Sequence, residues 1–326
     1  MPLYAYFPNP PNGEFIDRLH ERLDEGIRIA YGRKLPDPDD YDVLVSGRPS
    51  DEYLNASNKI KSLVIPYAGV PTNTRALMGE YPKISVHNLH HNAAPTAEMA
   101  LTLMLAAAKS VVVADRELRT GSWMSRYGES GGMLLEGRTL LLLGYGAVGR
   151  RIARSARALG MRVVAVRRGG PLSFSDLPDE IHGPEDLDLL LPRANVVLCT
   201  LPDTEETRGL IGAPELALLP KGAVLVNVGR GPVVDEEALY MALKSGRVAA
   251  AGLDVWYRYP KTEADRDSTW PCTLPFHELD NVVMSPHRGG ITDLTDTLRA
   301  AHLALLLNAA ASGEQMPNRV NLGRGY

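Results

Sequence analysis

Residues 139–150 read TLLLLGYGAVGR. Four leucines run straight into Gly144-Tyr145-Gly146-Ala147-Val148-Gly149. A short apolar run of this kind suits a strand buried on both faces of a parallel sheet. The glycines then supply a tight turn, close backbone approach to a pyrophosphate, and close packing of the next helix on the sheet. That helix is expected over residues 147–159, with Ile152, Ala153, Ala156 and Leu159 at helical spacing and Gly160 as its stop. Its N-terminal amides and dipole would face the phosphates. A lone GxGxxG is a weak signal. Here strand, turn, helix and a second strand (residues 161–166) follow in order, which predicts a bound dinucleotide over a merely structural glycine turn.

At 326 residues the chain is long for one domain, and two is the natural expectation. Apolar content of 44% and charged content of 23% are ordinary for a soluble globular protein. A net charge of −4 gives no general electrostatic reason to expect nucleic acid or an acidic membrane. The two cysteines, Cys199 and Cys272, offer no disulfide framework and no CxxC pair, which fits a reducing cytoplasm. Cys199 lies in the apolar run NVVLCTLP and reads as a small core residue rather than a nucleophile. The start, MPLYAYFPNP, lacks the charged and apolar regions of a signal peptide. Residues 97–114, the most apolar helical stretch, carry Glu98 and Lys109 and many alanines, and read as a buried helix rather than a membrane span.

Upstream of the glycine turn lies a smaller lobe. Short strands are expected at residues 3–7, 27–31, 43–45, 63–65 and 84–86, with helices at 14–23, 51–55 and 72–78 between them. Such alternation indicates a parallel α/β unit. Two stretches stand out. In Ile65-Pro66-Tyr67-Ala68-Gly69-Val70-Pro71, a glycine follows a strand end, where ligands of open sheets bind and free backbone N–H groups suit an anion. A plain turn is the other reading. In His87-Asn88-Leu89-His90-His91-Asn92, adjacent histidines diverge in extended backbone and no third ligand is near in sequence, so no metal site is expected. Asn92 is placed to cap a helix from Ala93 that runs to about residue 120 and carries the chain to the second lobe. Gly121-Ser122-Trp123 ends it, and residues 126–132 form a Gly-rich loop.

Downstream, residues 169–184 are polar and proline-rich. Helices are then expected at 185–190, 214–219 and 235–245, and strands at 196–201, 223–228, 248–255 and 282–284, completing a doubly wound nucleotide domain. An amphipathic helix over 292–311 would return to the first lobe. The expected organisation is a substrate-binding domain of residues 1–91 and 288–326 around a dinucleotide-binding domain of residues 92–287. There is no internal repeat or low-complexity tract.

The second strand of a dinucleotide fold usually ends in an acidic residue for the ribose 2′-hydroxyl. Here MRVVAV ends in Arg167-Arg168-Gly169-Gly170. A carboxylate there would repel a 2′-phosphate, whereas guanidinium groups bind it by charge-assisted, bidentate bonds. NADP(H) is therefore expected in preference to NAD(H), against the alternative of two solvated surface arginines.

Further motifs follow in order: LPDTEETRGLI (residues 201–211), VNVGRGPVVDEEAL (226–239), GLDV (252–255) and SPHRGG (285–290). With GYGAVG before them, and the Asn92…Ala97-Glu98 helix start, they resemble the D-isomer-specific 2-hydroxyacid dehydrogenases over nearly the whole chain. The resemblance implies a Rossmann domain inserted into a smaller flavodoxin-like α/β domain formed by both chain ends, a cleft between the two, and homodimers joined through the nucleotide domains. It implies hydride transfer between nicotinamide and a small 2-oxo or 2-hydroxy acid of the D-isomer, such as glyoxylate or hydroxypyruvate. Arg230 matches the family arginine that pairs with the substrate carboxylate and polarises its carbonyl. His287 matches the general acid/base. Tyr67 and the backbone of Ala68, Gly69 and Val70, with Asn92, match the substrate cradle. Thr200, Leu201, Pro202, Val228 and Gly229 are expected to line the nicotinamide side, Asp254 to lie close to its carboxamide, and Thr207, His287 and Gly289 to complete the cofactor set.

One departure matters. The family pattern DVxxxEP places a glutamate beside the histidine, whereas this chain reads Asp254-Val255-Trp256-Tyr257-Arg258-Tyr259-Pro260. Tyr259 stands in the glutamate's place. A carboxylate favours the imidazolium; a neutral phenol does so less. The similar formate dehydrogenases also lack this glutamate and share Asp-Val-Trp, so a hydride-only dehydrogenase of formate or another small oxyanion is the second reading. A dinucleotide-sensing binding protein, like the corepressor branch of the family, is the third. Arg288 would meet an extra anionic group on the substrate or form a domain-closing salt bridge.

Overall fold

In the computed structural model, which describes residues 2–9, 11–37, 39–128, 132–169 and 178–325, the apolar runs become parallel strands joined by helices. The chain runs β1 (Leu3–Phe7), α1 (Gly13–His20), β2 (Ile27–Tyr31), β3 (Val43–Val45), α2 (Asp51–Ala56), β4 (Ser62–Ile65), α3 (Thr72–Met78) and β5 (Ser85–Asn88). It continues through α4 (Ala93–Ala108), α5 (Val111–Arg119), α6 (Met124–Tyr127), β6 (Thr139–Leu143), α7 (Ala147–Ala158), β7 (Arg162–Val166) and β8 (Glu180–His182). Then come α8 (Leu187–Leu190), β9 (Val196–Cys199), α9 (Ala213–Leu218), β10 (Val224–Asn227), α10 (Glu236–Lys244), β11 (Ala250–Leu253), β12 (Val282–Met284) and α11 (Thr295–Ser312). The described residues form two compact units, Met1–Asn92 with Ile291–Tyr326, and Ala93–Gly290.

The first unit is built on a five-stranded parallel sheet of order β2-β1-β3-β4-β5, the flavodoxin-like arrangement. α11 belongs to it. Leu303, Leu306 and Leu307 are fully buried in one cluster with Ala5, Phe7 and Val43. Each such leucine contributes about 1.5–3 kcal/mol of transfer free energy, which ties the C-terminal segment to the N-terminal strands. Gly313, at φ 78°, ends the helix in the left-handed conformation that glycine adopts without strain.

The second unit carries a seven-stranded parallel sheet of order β12-β11-β10-β9-β6-β7-β8. β9 lies at the centre with β6 beside it. The chain steps outward from β6 through β7 to β8 on one side and from β9 through β12 on the other, so the switch point, where dinucleotides bind in such sheets, lies between β6 and β9. Residues 140–143, 163–166, 196–199 and 224–227 are buried on both faces, as their unbroken apolar runs require. α4 packs on one of these faces: a Cβ added at Gly252 would stand 2.8 Å from that of Leu103.

Two expectations are corrected. The single helix expected from Ala93 to about residue 120 is broken into α4 and α5, which meet at 65°. Ser110 between them is left-handed (φ 51°), a local choice that apolar periodicity does not report. A strand, β8, lies inside the stretch read as irregular; it is three residues long, and Ile181 is 38% exposed, so it carries no apolar run. Residues 170–177 of that stretch, and residues 129–131 of the Gly-rich loop, lie outside the described residues. Among the described residues no single helix is long and apolar enough to cross a membrane.

Candidate active site

The glycine turn sits between β6 and α7. Gly144 has φ 100°, which excludes most side chains, and its carbonyl accepts a hydrogen bond from the Thr200 hydroxyl (3.0 Å). A Cβ on Gly149 would strike the Gly144 carbonyl oxygen, so only glycine lets α7 start this close to the strand. Gly146 is the N-cap; it has open space where a Cβ would stand, and no side chain caps the helix. The first amides of α7 have no intrahelical acceptor and are available to an anion. Tyr145 is buried in the core, while Ala147 and Val148 are half-buried. The turn thus offers backbone, space and a helix dipole to a pyrophosphate, and the residues present fit a dinucleotide.

At the carboxyl end of β7, the Arg167 backbone N–H donates to the His182 carbonyl (3.0 Å) and its Nε to the Arg168 carbonyl (3.1 Å). The Arg168 guanidinium pairs with the Glu206 carboxylate from the loop after β9. That loop is braced internally. The buried Thr207 hydroxyl donates to the Pro202 carbonyl (2.6 Å) and accepts the Thr204 N–H (2.9 Å).

After β10 the backbone is locked around Arg230. The buried Asn227 amide donates to the Arg230 carbonyl (3.0 Å) and its oxygen accepts the Gly229 N–H (3.1 Å). Gly229 lies against Leu201, and Gly231 against the Trp256 carbonyl, so closely that neither tolerates a Cβ. Arg230 itself donates to the Gly229 carbonyl (2.6 Å).

β11 delivers Asp254, which is 2% exposed. Its carboxylate accepts three hydrogen bonds from the loop after β12: the Ser285 hydroxyl (2.5 Å), the Arg288 N–H (2.9 Å) and the Gly289 N–H (2.9 Å). His287 stands between these anchors with left-handed backbone (φ 55°), its N–H donating to the Ser285 carbonyl (3.0 Å). Trp256 donates its indole N–H to the same carbonyl (2.8 Å). The Tyr259 ring lies 5.4 Å from the imidazole, tilted by 57°, and its hydroxyl accepts the Trp256 backbone N–H (3.0 Å). Burial pushes the His287 pKa down and the Arg230 charge lowers it further, while Asp254 opposes both. Burial also pushes the Tyr259 phenol up. Arg230, His287, Tyr259 and Asp254 thus belong to one unit with the glycine turn, and the imidazole is held toward its neutral form.

The remaining expected residues belong to the first unit. Tyr67 follows β4 and lies against Gly47, with the Arg48 charge nearby. The Ala68 carbonyl accepts the Asn88 amide (2.6 Å), which holds the turn carrying Gly69, and Val70 packs into the core. Asn92 is half-buried directly before α4. His91 is buried, and burial pushes its pKa down to about 4. Among the described residues no group of three or more His, Cys, Asp and Glu is arranged to hold a metal. Cys199 is fully buried, and its thiol is pushed up to about 12. Ser285, Asn227 and Trp256 are not among the site residues expected from sequence; all three lie inside quoted runs, and that position is the available signal.

A sequence profile described as D-isomer specific 2-hydroxyacid dehydrogenase, NAD binding domain, matches residues 101–289. The chain belongs to this family. A glyoxylate reductase from Thermococcus onnurineus (strain NA1) is 34% identical over 328 residues, covering 96% of this chain and 93% of that protein. A glyoxylate reductase from Korarchaeum cryptofilum (strain OPF8) is 38% identical over 233 residues, covering 69% of this chain. The matches span 58–66% of the length of that protein and three other curated relatives. Among solved structures, a D-isomer specific 2-hydroxyacid dehydrogenase from Xanthobacter autotrophicus Py2, in complex with NADPH and MES, superposes with a TM-score of 0.80 at 27% identity, covering 99% of each chain. Within the D-isomer specific 2-hydroxyacid dehydrogenase pattern, the departure is at Tyr259. There the phenol ring lies tilted beside the imidazole.

Proposed function

We propose that the chain is an NADP(H)-dependent oxidoreductase that transfers a hydride between nicotinamide and a small 2-oxo or 2-hydroxy acid of the D-isomer, such as glyoxylate or hydroxypyruvate. The carrying observation is the placement of a backbone-locked Arg230 and a loop-anchored His287 in the same unit as the glycine turn. The names of the glyoxylate reductase relatives and the NADPH complex of the Xanthobacter protein support the same reading.

Gly144, Gly146 and Gly149 and the α7 amides hold the pyrophosphate, and Arg167 and Arg168 take the 2′-phosphate. When bound, the nicotinamide supplies the hydride. Arg230 pairs with the substrate carboxylate and draws electron density from the carbonyl oxygen. The His287 imidazolium would give its proton to the carbonyl oxygen in reduction, and the neutral imidazole would take it back in oxidation. Tyr67, the backbone of residues 68–70 and Asn92 supply the substrate cradle. Tyr259 shields one side of the imidazole from water, and Asp254 keeps its loop in place.

The assembly we propose is a homodimer in the cytoplasm. Val111, Val112 and Leu118 of α5, Trp123, and Met124 and Tyr127 of α6 are each 47–74% exposed, a concentration of apolar surface suited to a second copy of the chain. A spectrophotometric screen of 2-oxo acids with NADPH, and of formate and other small oxyanions with NADP+, tests the function. Consumption of NADPH with glyoxylate or hydroxypyruvate is expected. Reduction of NADP+ by formate alone would move the assignment to a hydride-only enzyme, and tight dinucleotide binding without turnover to a sensor.

A further inference from the structure

The loop after β9 brings an acidic side chain to the place where the strand end lacks one. β7 ends in Arg167-Arg168 rather than in the carboxylate that usually meets a ribose 2′-hydroxyl. Yet the Glu206 carboxylate pairs with the Arg168 guanidinium across 38 residues of sequence. The carboxylate missing from the strand end is thereby restored from a neighbouring loop, on the same cation that would bind a 2′-phosphate.

Resting on the assignment of Arg168 to the 2′-phosphate, we infer that Glu206 sets the balance between the two dinucleotides. It competes with the phosphate for Arg168 and offers an acceptor to the 2′-hydroxyl of NAD(H). Arg168 is well covered, its side chain 25% exposed, whereas that of Glu206 is 66% exposed. The cation is therefore held and the carboxylate is free to swing into solvent when a phosphate arrives. The loop does not need Glu206, because its shape is fixed by Thr204 and Thr207 and by the Arg208–Asp203 pair (2.6 Å). Arg208 is engaged by Asp203, and a phosphate that displaces Glu206 takes its place on Arg168, so that cation keeps an anionic partner. Finally, a dianionic phosphate entering beside Glu206 loses part of the attraction of Arg168 and meets a like charge, both screened by water and salt. A neutral hydroxyl meets neither penalty and gains a charge-assisted hydrogen bond.

The chain thus combines an arginine pair selecting NADP(H) with a carboxylate moderating that selection. Fluorescence titration of the full-length protein with NADPH and with NADH, without substrate, tests this. Glu206→Gln keeps the shape and removes the charge at an exposed position. It is expected to tighten NADPH binding about fivefold, the upper range for releasing one exposed ion pair, and to leave NADH unchanged or weaker. Arg168→Ala is expected to weaken NADPH at least tenfold and NADH little. In the double variant the Glu206→Gln gain should vanish, and raising the salt should shrink it in the single variant. If Arg168→Ala weakens NADPH but Glu206→Gln does not tighten it, the arginine assignment stands and the Glu206 inference falls. Weaker NADPH binding in Glu206→Gln would make the glutamate a holder of Arg168 and overturn the inference. An unchanged NADPH affinity in Arg168→Ala would remove the phosphate assignment and the inference with it.

Discussion

His287 occupies a left-handed backbone conformation, costing about 1–2 kcal/mol for a residue with a Cβ. Three hydrogen bonds from its loop to Asp254 hold it there. Its pKa is pushed down by burial and by Arg230. In the proposed reduction the imidazolium would be consumed, and its population falls as pH rises through that lowered value. The rate of reduction should therefore decline at a lower pH than an ordinary imidazole would give, and oxidation should reach its plateau there. Replacing Tyr259 with glutamate puts a carboxylate beside the ring and raises the histidine pKa. The pH–rate profile of Tyr259→Glu should have its reductive inflection at higher pH; an unmoved inflection would mean that Asp254 already sets it. Arg230→Ala should lower kcat/KM by about 10²–10³-fold, as for loss of one preorganised donor to the developing oxyanion. Dinucleotide affinity in titration should stay near that of the parent, since the glycine turn is untouched. Arg230 and His287 stand out in the sequence as candidates because each lies inside a run with a recognisable order. The engagement of Asp254 was not, because its partners stand 31, 34 and 35 residues away and are mostly backbone amides.

At the scale of elements, the turn from β6 into α7 is the part most constrained by sterics. A methyl group at position 149 meets the Gly144 carbonyl, so Gly149→Ala must displace either the turn or the helix start. A destabilisation of about 1–3 kcal/mol and a loss of dinucleotide affinity are expected together, read by thermal melting and titration. Retained affinity would show that α7 shifts without disturbing its N-terminal amides. The buried strands were legible because both faces are covered, which makes their sequences unbroken apolar runs. β8 escaped because it has one neighbour and an exposed isoleucine. The break between α4 and α5 escaped because it depends on the φ of Ser110. Ser110→Gly should relieve that backbone and raise stability by up to about 1 kcal/mol, provided the bend persists; a lower melting temperature would contradict this.

For the whole molecule, the order of elements decided the reading: a central glycine turn, strands on both sides of it in sequence, and a last helix whose leucines pack with the first strands. The sheet orders follow from crossover rules that sequence expresses only through alternation of strands and helices. The proposed dimer has a surface consequence. Trp123→Glu combined with Met124→Glu should leave the fold intact, since both side chains are more than 60% exposed, and should shift sedimentation toward the monomer. An unchanged sedimentation coefficient would place the interface elsewhere. NADP(H)-linked reduction of a small 2-oxo acid is tested by measuring kcat/KM for NADPH and NADH with hydroxypyruvate and determining the chirality of the product glycerate. The expected result is D-glycerate formed with a clear advantage for NADPH; turnover favouring NADH, L-glycerate as product, or no turnover would contradict the account.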